Sequence, residues 1–177
     1  MTRTSQSPSA RIFDRILVPH DFSDHATRAL EIAASLAGPT STITVLHAQV
    51  PVYTSMGGPA GEMTWTPPPE MAKELSRDLK DLAARTVGPA LVGRVQCKVV
   101  AADPLTAILA AARRADVIIM TTVGRTGLSH LLMGSIAEKV VRHATTPVLT
   151  IHPKSARRLT KSTTRRAPAK RKRVSPR

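Results

Sequence analysis

Aromatic residues are scarce: two Phe, one Tyr and one Trp make up 2% of the 177 residues. The interior must therefore be filled by Leu, Ile, Val and Ala, which an overall hydrophobic content of 42% supplies. There is one cysteine, Cys97, so no internal disulfide can form, and a reducing cytosol suits the chain. Cys97 sits in the strand-like run VQCKVV, as a small packed residue rather than a reactive thiol. No apolar run is long enough to span a bilayer, and MTRTSQSPSARIFDR lacks the apolar centre of a secretory leader. The expectation is a soluble, cytoplasmic chain with no transmembrane segment.

Acid is missing from one region altogether. Residues 154–177 hold eleven Lys or Arg and no Asp or Glu. Removing those eleven from the total of 26 leaves fifteen basic against twelve acidic residues, so residues 1–153 carry only +3 of the net +14. The globular part is nearly balanced, and the tail supplies the basicity. With almost no apolar content and strong self-repulsion, the tail is expected to be disordered. Such a tail either attracts a polyanion, such as nucleic acid, through salt-sensitive contacts, or merely solubilises the chain. No aromatic interleaves its cations, so base stacking is not available to it. Its AKRKR run also resembles a nuclear import signal, a short pattern that often arises by chance.

Between the termini, strands and helices alternate. Residues 1–11, rich in Ser, Thr and Arg, are expected to be disordered, and a single domain spans 12–153. Arg15 to Pro19 reads as the first strand; Ser23 is the expected cap of a helix whose apolar face is Ala26, Leu30, Ala33, Ala34 and Ala37. Gly38-Pro39 ends that helix, and Ser41 to Ala48 is a β-branched second strand. Residues 49–69 are rich in Gly and Pro: either a disordered surface segment or a lid over a site. Trp65 within it could stack on a base, although covering apolar surface is the commoner role.

A second helix opens at Pro69-Glu70 and carries Met71, Leu75, Leu79, Leu82 and Ala83 at core spacing. Arg94 to Ala101 alternates as an edge strand does, and Asp103-Pro104 starts a third helix that runs to about Arg114. Val117 to Met120 then forms a buried fourth strand, followed by a glycine-containing loop, a helix opening at Ser135, and a closing strand from Val148 to Ile151. Ser135 and Glu138 have the spacing of a capping box. A helix N-terminus beside a glycine loop offers N–H groups and partial positive charge to an anion such as phosphate; an ordinary connecting loop remains the plain alternative.

Several chemistries find no matching pattern. No lysine follows Gly134 as a phosphate-binding loop requires, no G-x-G-x-x-G follows a strand, and Gly127-Leu128-Ser129 continues into His130-Leu131 rather than a nucleophile elbow. His20, Asp21, Asp24 and His25 cluster in HDFSDH, with Asp21 and His25 at i, i+4 spacing if helical; a metal site there is conceivable, but histidines at a helix start are usually just solvated. His130 and His143 are expected on the surface. Nothing assembles an acid, a base and a nucleophile, so a dedicated enzyme is not expected.

The segment from Gly124 through nine residues to Gly134-Ser135, together with the opening RILVPHDFSDHATRALEIAASLA, resembles the universal stress protein family over about Arg11 to Pro153. Nucleotide-binding members of that family carry G-x2-G-x9-G-(S/T), and here Thr121 stands in place of the first glycine. The resemblance implies an α/β fold, a doubly wound five-stranded parallel sheet of order 3-2-1-4-5 with helices on both faces, and a ligand crevice where the first and fourth strands end. It further implies ATP as the ligand, with magnesium accompanying it. Asp21, flanked by Pro19 and His20, would hold the adenine; Ala48 would lie beside base or ribose, and Met120 with Thr121 beside the nucleoside. Gly124, Gly134 and Ser135 would surround the phosphates. Without the resemblance, Asp21 reads more simply as a residue that satisfies N–H groups at the start of the helix. Thr121, and Ala102 where relatives keep another glycine, could both crowd the nucleotide. The resemblance implies an adenine-nucleotide-responsive stress sensor or adaptor, and a homodimer paired through the last strand, as relatives usually form. Two other readings stand beside it: a nucleotide-independent adaptor, and a nucleic-acid-associated protein that works through its tail.

Overall fold

Ile16, Leu17 and Val18 are buried on both sides, because their strand, β1 (Arg15–Pro19), runs through the middle of a sheet. The computed structural model describes residues 13–50, 53–54, 63–64, 68–122 and 134–152. The two termini expected to be disordered lie outside these residues, as do Gly124, Trp65 and His130.

In chain order the elements after β1 are α1 (Asp24–Leu36), β2 (Thr42–Gln49), β3 (Tyr53–Thr54), β4 (Met63–Thr64), α2 (Pro69–Val87), α3 (Pro89–Val92), β5 (Val95–Ala101), α4 (Pro104–Ala112), β6 (Val117–Thr121), α5 (Ser135–His143) and β7 (Val148–Ile151). The main sheet has the order β5-β2-β1-β6-β7 and every pairing in it is parallel. Counting its five strands along the chain, this is the expected order 3-2-1-4-5. Register is set by pairs such as Ile16 with Ile43, Leu17 with Ile118, and Met120 with Thr150.

Successive strand residues face opposite sides, so each central strand feeds two cores. Ile16, Val18, Ile43, Val45, Val117 and Ile119 pack with α1 and α2 on one face. Leu17, Leu46, Ile118 and Met120 pack with α4 and α5 on the other. This is why VIIM shows no alternation of apolar and polar residues: both faces are covered. Leu, Ile, Val and Ala make up nearly all of both cores, as the shortage of aromatics requires.

The helix starts follow local chemistry. Ser23 caps α1, its side chain accepting from the Ala26 N–H, and Asp103 caps α4, accepting from the Thr106 N–H at 2.9 Å. Pro69 and Pro104 stand at first-turn positions where no N–H is needed. Cys97 donates its thiol to the Leu79 carbonyl, and burial pushes its pKa up, which suits a packed residue. Among the described residues, no helix is long and apolar enough to cross a membrane.

Several expectations need correction. α1 ends at Leu36 with Ala37 as its cap, so the helix stops ahead of Gly38-Pro39. The 49–69 stretch is not wholly without structure, since β3 and β4 pair antiparallel within it. Met71 is exposed: α2 buries only Leu79 and Ala83, and the Met71 sulfur accepts a hydrogen bond from Gln49. The single-turn α3 was not foreseen; Gly88, at φ +76°, turns the chain into it.

Candidate functional site

The carboxyl ends of β1, β2 and β6 and the first turns of α4 and α5 surround a cavity of about 300 Å³. Pro19, His20 and Asp21 contribute from the end of β1, Leu46, His47 and Ala48 from β2, and Met120, Thr121 and Thr122 from β6. Pro104 and Ile108 come from α4; Gly134, Ser135, Ile136 and Ala137 come from the start of α5. Eight of the nine residues expected at a site therefore meet here, and the ninth, Gly124, lies outside the described residues. The position follows from topology. Connections leave β1 toward one face and β6 toward the other, so their ends diverge and leave a crevice.

The start of α5 departs from the capping box read in the sequence. Its N-cap is Gly134, and no side chain caps the helix; Ser135 is already the first helical residue. The chain enters the helix one residue earlier than S-x-x-E requires, with the Gly134 carbonyl accepting from the Glu138 N–H at 2.9 Å. The first N–H groups of a helix have no acceptor one turn back, and among the described residues no side chain replaces it. The end of α5 that faces the cavity is therefore rich in donors and partially positive.

In the same cavity, Asp21 does two things. Its Oδ1 accepts from the Ser23 N–H at 3.1 Å, as a residue at a helix approach would, and the residue also lines the cavity. The i, i+4 relation with His25 does not arise, because α1 begins only at Asp24. His20 is not solvated but 4% exposed. Its Nδ1 accepts from the Phe22 N–H at 3.0 Å, which leaves the proton on Nε2, 3.3 Å from the Thr27 hydroxyl. Burial drives its pKa down to about 4, against the opposing pull of Asp21, so the ring is neutral at ordinary pH. With both nitrogens engaged, it offers the cavity a wall rather than a hydrogen bond.

Thr121 ends β6 in ordinary extended backbone, since Phe22 is the one non-glycine residue at positive φ among those described. A β-branched side chain is at ease in that conformation, so the exchange of glycine for threonine brings bulk to the wall but no backbone strain. Ala102 packs with the α4 core and does not line the cavity.

Sequence reasoning missed His47 and Thr122. The strand order signals the first, because it puts the end of β2 directly beside β1. The second lies one residue past the end of β6, where no pattern in the sequence marks it. Thr122 Oγ1 is buried and has no hydrogen-bond partner among the described residues, and the Thr122 carbonyl accepts from the Gly134 N–H. An unpaired buried hydroxyl costs about 1–3 kcal/mol, which a ligand atom placed here would relieve. Among the described lining residues there is one carboxylate and no Lys or Arg. The cavity can thus take an uncharged polar or apolar body, a donor at Asp21, and an anionic group at α5.

Comparison with known proteins agrees with this architecture. A universal stress protein of Thermus aquaticus is 33% identical over 143 residues, covering 79% of this chain and 99% of its own. One from Methanocaldococcus jannaschii is 29% identical over 142 residues, covering 79% and 82%. Among solved structures, the universal stress protein of Lactobacillus plantarum superposes with a TM-score of 0.56 at 22% identity, covering 77% of this chain and 96% of its own. A universal stress protein in complex with cAMP superposes with a TM-score of 0.54 at 22% identity, covering 79% and 97%. The sequence pattern that defines the universal stress protein family matches residues 12–152, and the chain belongs to that family.

Proposed function

We propose that the cavity binds an adenine nucleotide, ATP in the first instance, and that the protein is a nucleotide-responsive sensor or adaptor of a stress response rather than a metabolic enzyme. The observation that carries this reading is the uncapped start of α5 sharing one cavity with the Asp21 carboxylate. A carboxylate suits the exocyclic amine of adenine, and free helix N–H groups suit phosphate oxygens. Ala48 and Met120 supply apolar wall between them. The likeness to a relative solved with cAMP supports a nucleotide as the ligand class. Magnesium would travel on the phosphates, since the described wall has no second carboxylate to hold it.

Two measurements test this. Nucleotide released on denaturing the purified protein is expected to be an adenine nucleotide. Labelled ATP is expected to bind the wild type and to bind Asp21→Ala about tenfold more weakly, as fits loss of a charged hydrogen-bond partner. A wild type that takes up no nucleotide would leave the nucleotide-independent adaptor in its place.

Two partners extend the reading. β7 is an edge of the sheet with Leu149 exposed, which favours pairing with a second copy there. The eleven cations of residues 154–177 favour a polyanion such as nucleic acid. Deleting 154–177 is expected to abolish salt-sensitive retention on DNA; unchanged retention removes that partner.

A further inference from the structure

Phe22 is a bulky residue held at φ +63°, a left-handed conformation that side chains of its size rarely adopt. It directly follows Asp21, and the surroundings hold it there in three ways. Its N–H donates to His20 Nδ1 at 3.0 Å. Its ring meets the His20 imidazole edge-on, with centroids 5.9 Å apart, and the His47 imidazole at 4.8 Å. His20 is itself fixed: its N–H donates to the Leu46 carbonyl, and its carbonyl accepts from His47 Nδ1, each at 2.8 Å.

Asp21 thus lies between two residues whose backbones are both held. Ile16 and Val18 face the α1 side of the sheet, and His20 continues that alternation toward Thr27 of α1. Asp21 and His20 both line the cavity. The imidazole nitrogens are engaged by the Phe22 N–H and the Thr27 hydroxyl, and the Asp21 carboxylate accepts from the Ser23 N–H and hydroxyl, so the shape of the turn sets where the carboxylate lies.

We infer that His20 is a positioning residue of the nucleotide site: by accepting the Phe22 N–H it holds the strained turn that directs Asp21 into the cavity. The inference rests on the nucleotide reading above, and it adds a residue that acts without touching the ligand through either ring nitrogen. Strain of this kind persists only where neighbours over-determine it. Without the Nδ1 acceptor, the left-handed residue loses its only hydrogen-bonded restraint of the three, and the turn relaxes, carrying Asp21 and its bonds to the Ser23 N–H and hydroxyl away from the cavity.

Two variants separate the ring's two nitrogens. In His20→Asn the side-chain oxygen can stand where Nδ1 stands; in His20→Gln the amide reaches toward Thr27 and leaves the Phe22 N–H unpaired. ATP affinity and hydrogen exchange at the Phe22 amide are measured on the full chain for both, with thermal melting to check the fold. The expectation is an Asn variant within about threefold of the wild type, and a Gln variant about tenfold weaker with faster Phe22 exchange. Equal affinity of the two variants, whether wild-type-like or weak, overturns the inference.

If the wild type binds no ATP but Phe22 exchange still separates Gln from Asn, the nucleotide reading falls and the clamp on the turn remains. The Phe22→Gly background gives a second route should His20→Gln fold poorly. Glycine takes positive φ without strain, so His20→Gln is expected to cost less than about threefold there. An undiminished tenfold loss in that background also overturns the inference.

Discussion

Asp21 and Ser135 line one cavity, which brings a carboxylate from the turn after β1 together with the uncapped first turn of α5. They are far apart in the chain and brought together by strands β1 and β6 being neighbours in the sheet. The pair gives the cavity a mixed polarity: an acceptor at Asp21, and donors with partial positive charge at the start of α5.

That polarity gives a mutation with opposite effects on folding and binding. Gly134 has φ −66° and ψ 146°, open to any residue, so Gly134→Asp can cap α5 with its own side chain. Stability is expected to hold or rise by a few tenths of a kcal/mol, while the added carboxylate repels phosphate. Urea unfolding and ATP titration on the same sample check this; tighter ATP binding by the variant would contradict the placement of phosphate at α5.

The buried His20 makes stability depend on pH. Its folded pKa, about 4, lies below the ordinary value of 6.5, so between these values the unfolded chain binds more protons. Stability therefore rises with pH across the window from 4 to 6.5 and is lost as pH falls through it. From pH 7.5 to pH 5 the loss from this residue is about 2 kcal/mol. Unfolding of wild type and His20→Asn at both pH values measures it, and the variant is expected to show the smaller difference.

The helix α2 is anchored by few residues. Leu79, fully buried, and Ala83 are the only buried side chains of its 19 residues. Leu79→Ala is expected to cost about 3 kcal/mol, since it leaves a void that the surrounding core closes only in part. Leu79 does not line the cavity, so ATP affinity should change by less than about threefold in protein that remains folded. Denaturant melts paired with ATP titration decide it.

Pairing through β7 can be tested at its exposed face. Leu149 is 38% exposed and Val141 of α5 is 46% exposed. Leu149→Glu is expected to shift a dimer to monomer at micromolar concentration, because it brings two like charges close to a shared axis. Sedimentation equilibrium gives the answer, and an unaltered mass would place any self-association elsewhere.

The sheet was legible in the sequence because its strands obey simple patterns. VIIM announced burial on both faces, RVQCKVVA announced an edge, and Ser23, Asp103 and the two prolines marked three helix starts. The motif residues converged because strand order alone fixes which ends meet. Other features were hidden for physical reasons. Met71 matches the spacing of a core stripe, but spacing gives the face of a helix and not how far the neighbouring element extends to cover it. Ser135 and Glu138 satisfy a capping-box pattern that gives way to a cap one residue earlier. His20 looked like a surface histidine because its partners, the Phe22 N–H and the Thr27 hydroxyl, exist only once the turn is formed.

The cavity takes its walls from the first strand and from the start of the last helix, with β2, α4 and β6 between. Whatever occupies it ties the opening of the chain to its close, as a removable cross-link. A ligand at a hundred times its dissociation constant adds about 2.7 kcal/mol to the folded state. With the proposed ligand bound, protease resistance would rise and fall with its concentration, and the lifetime of the protein in a cell would follow supply.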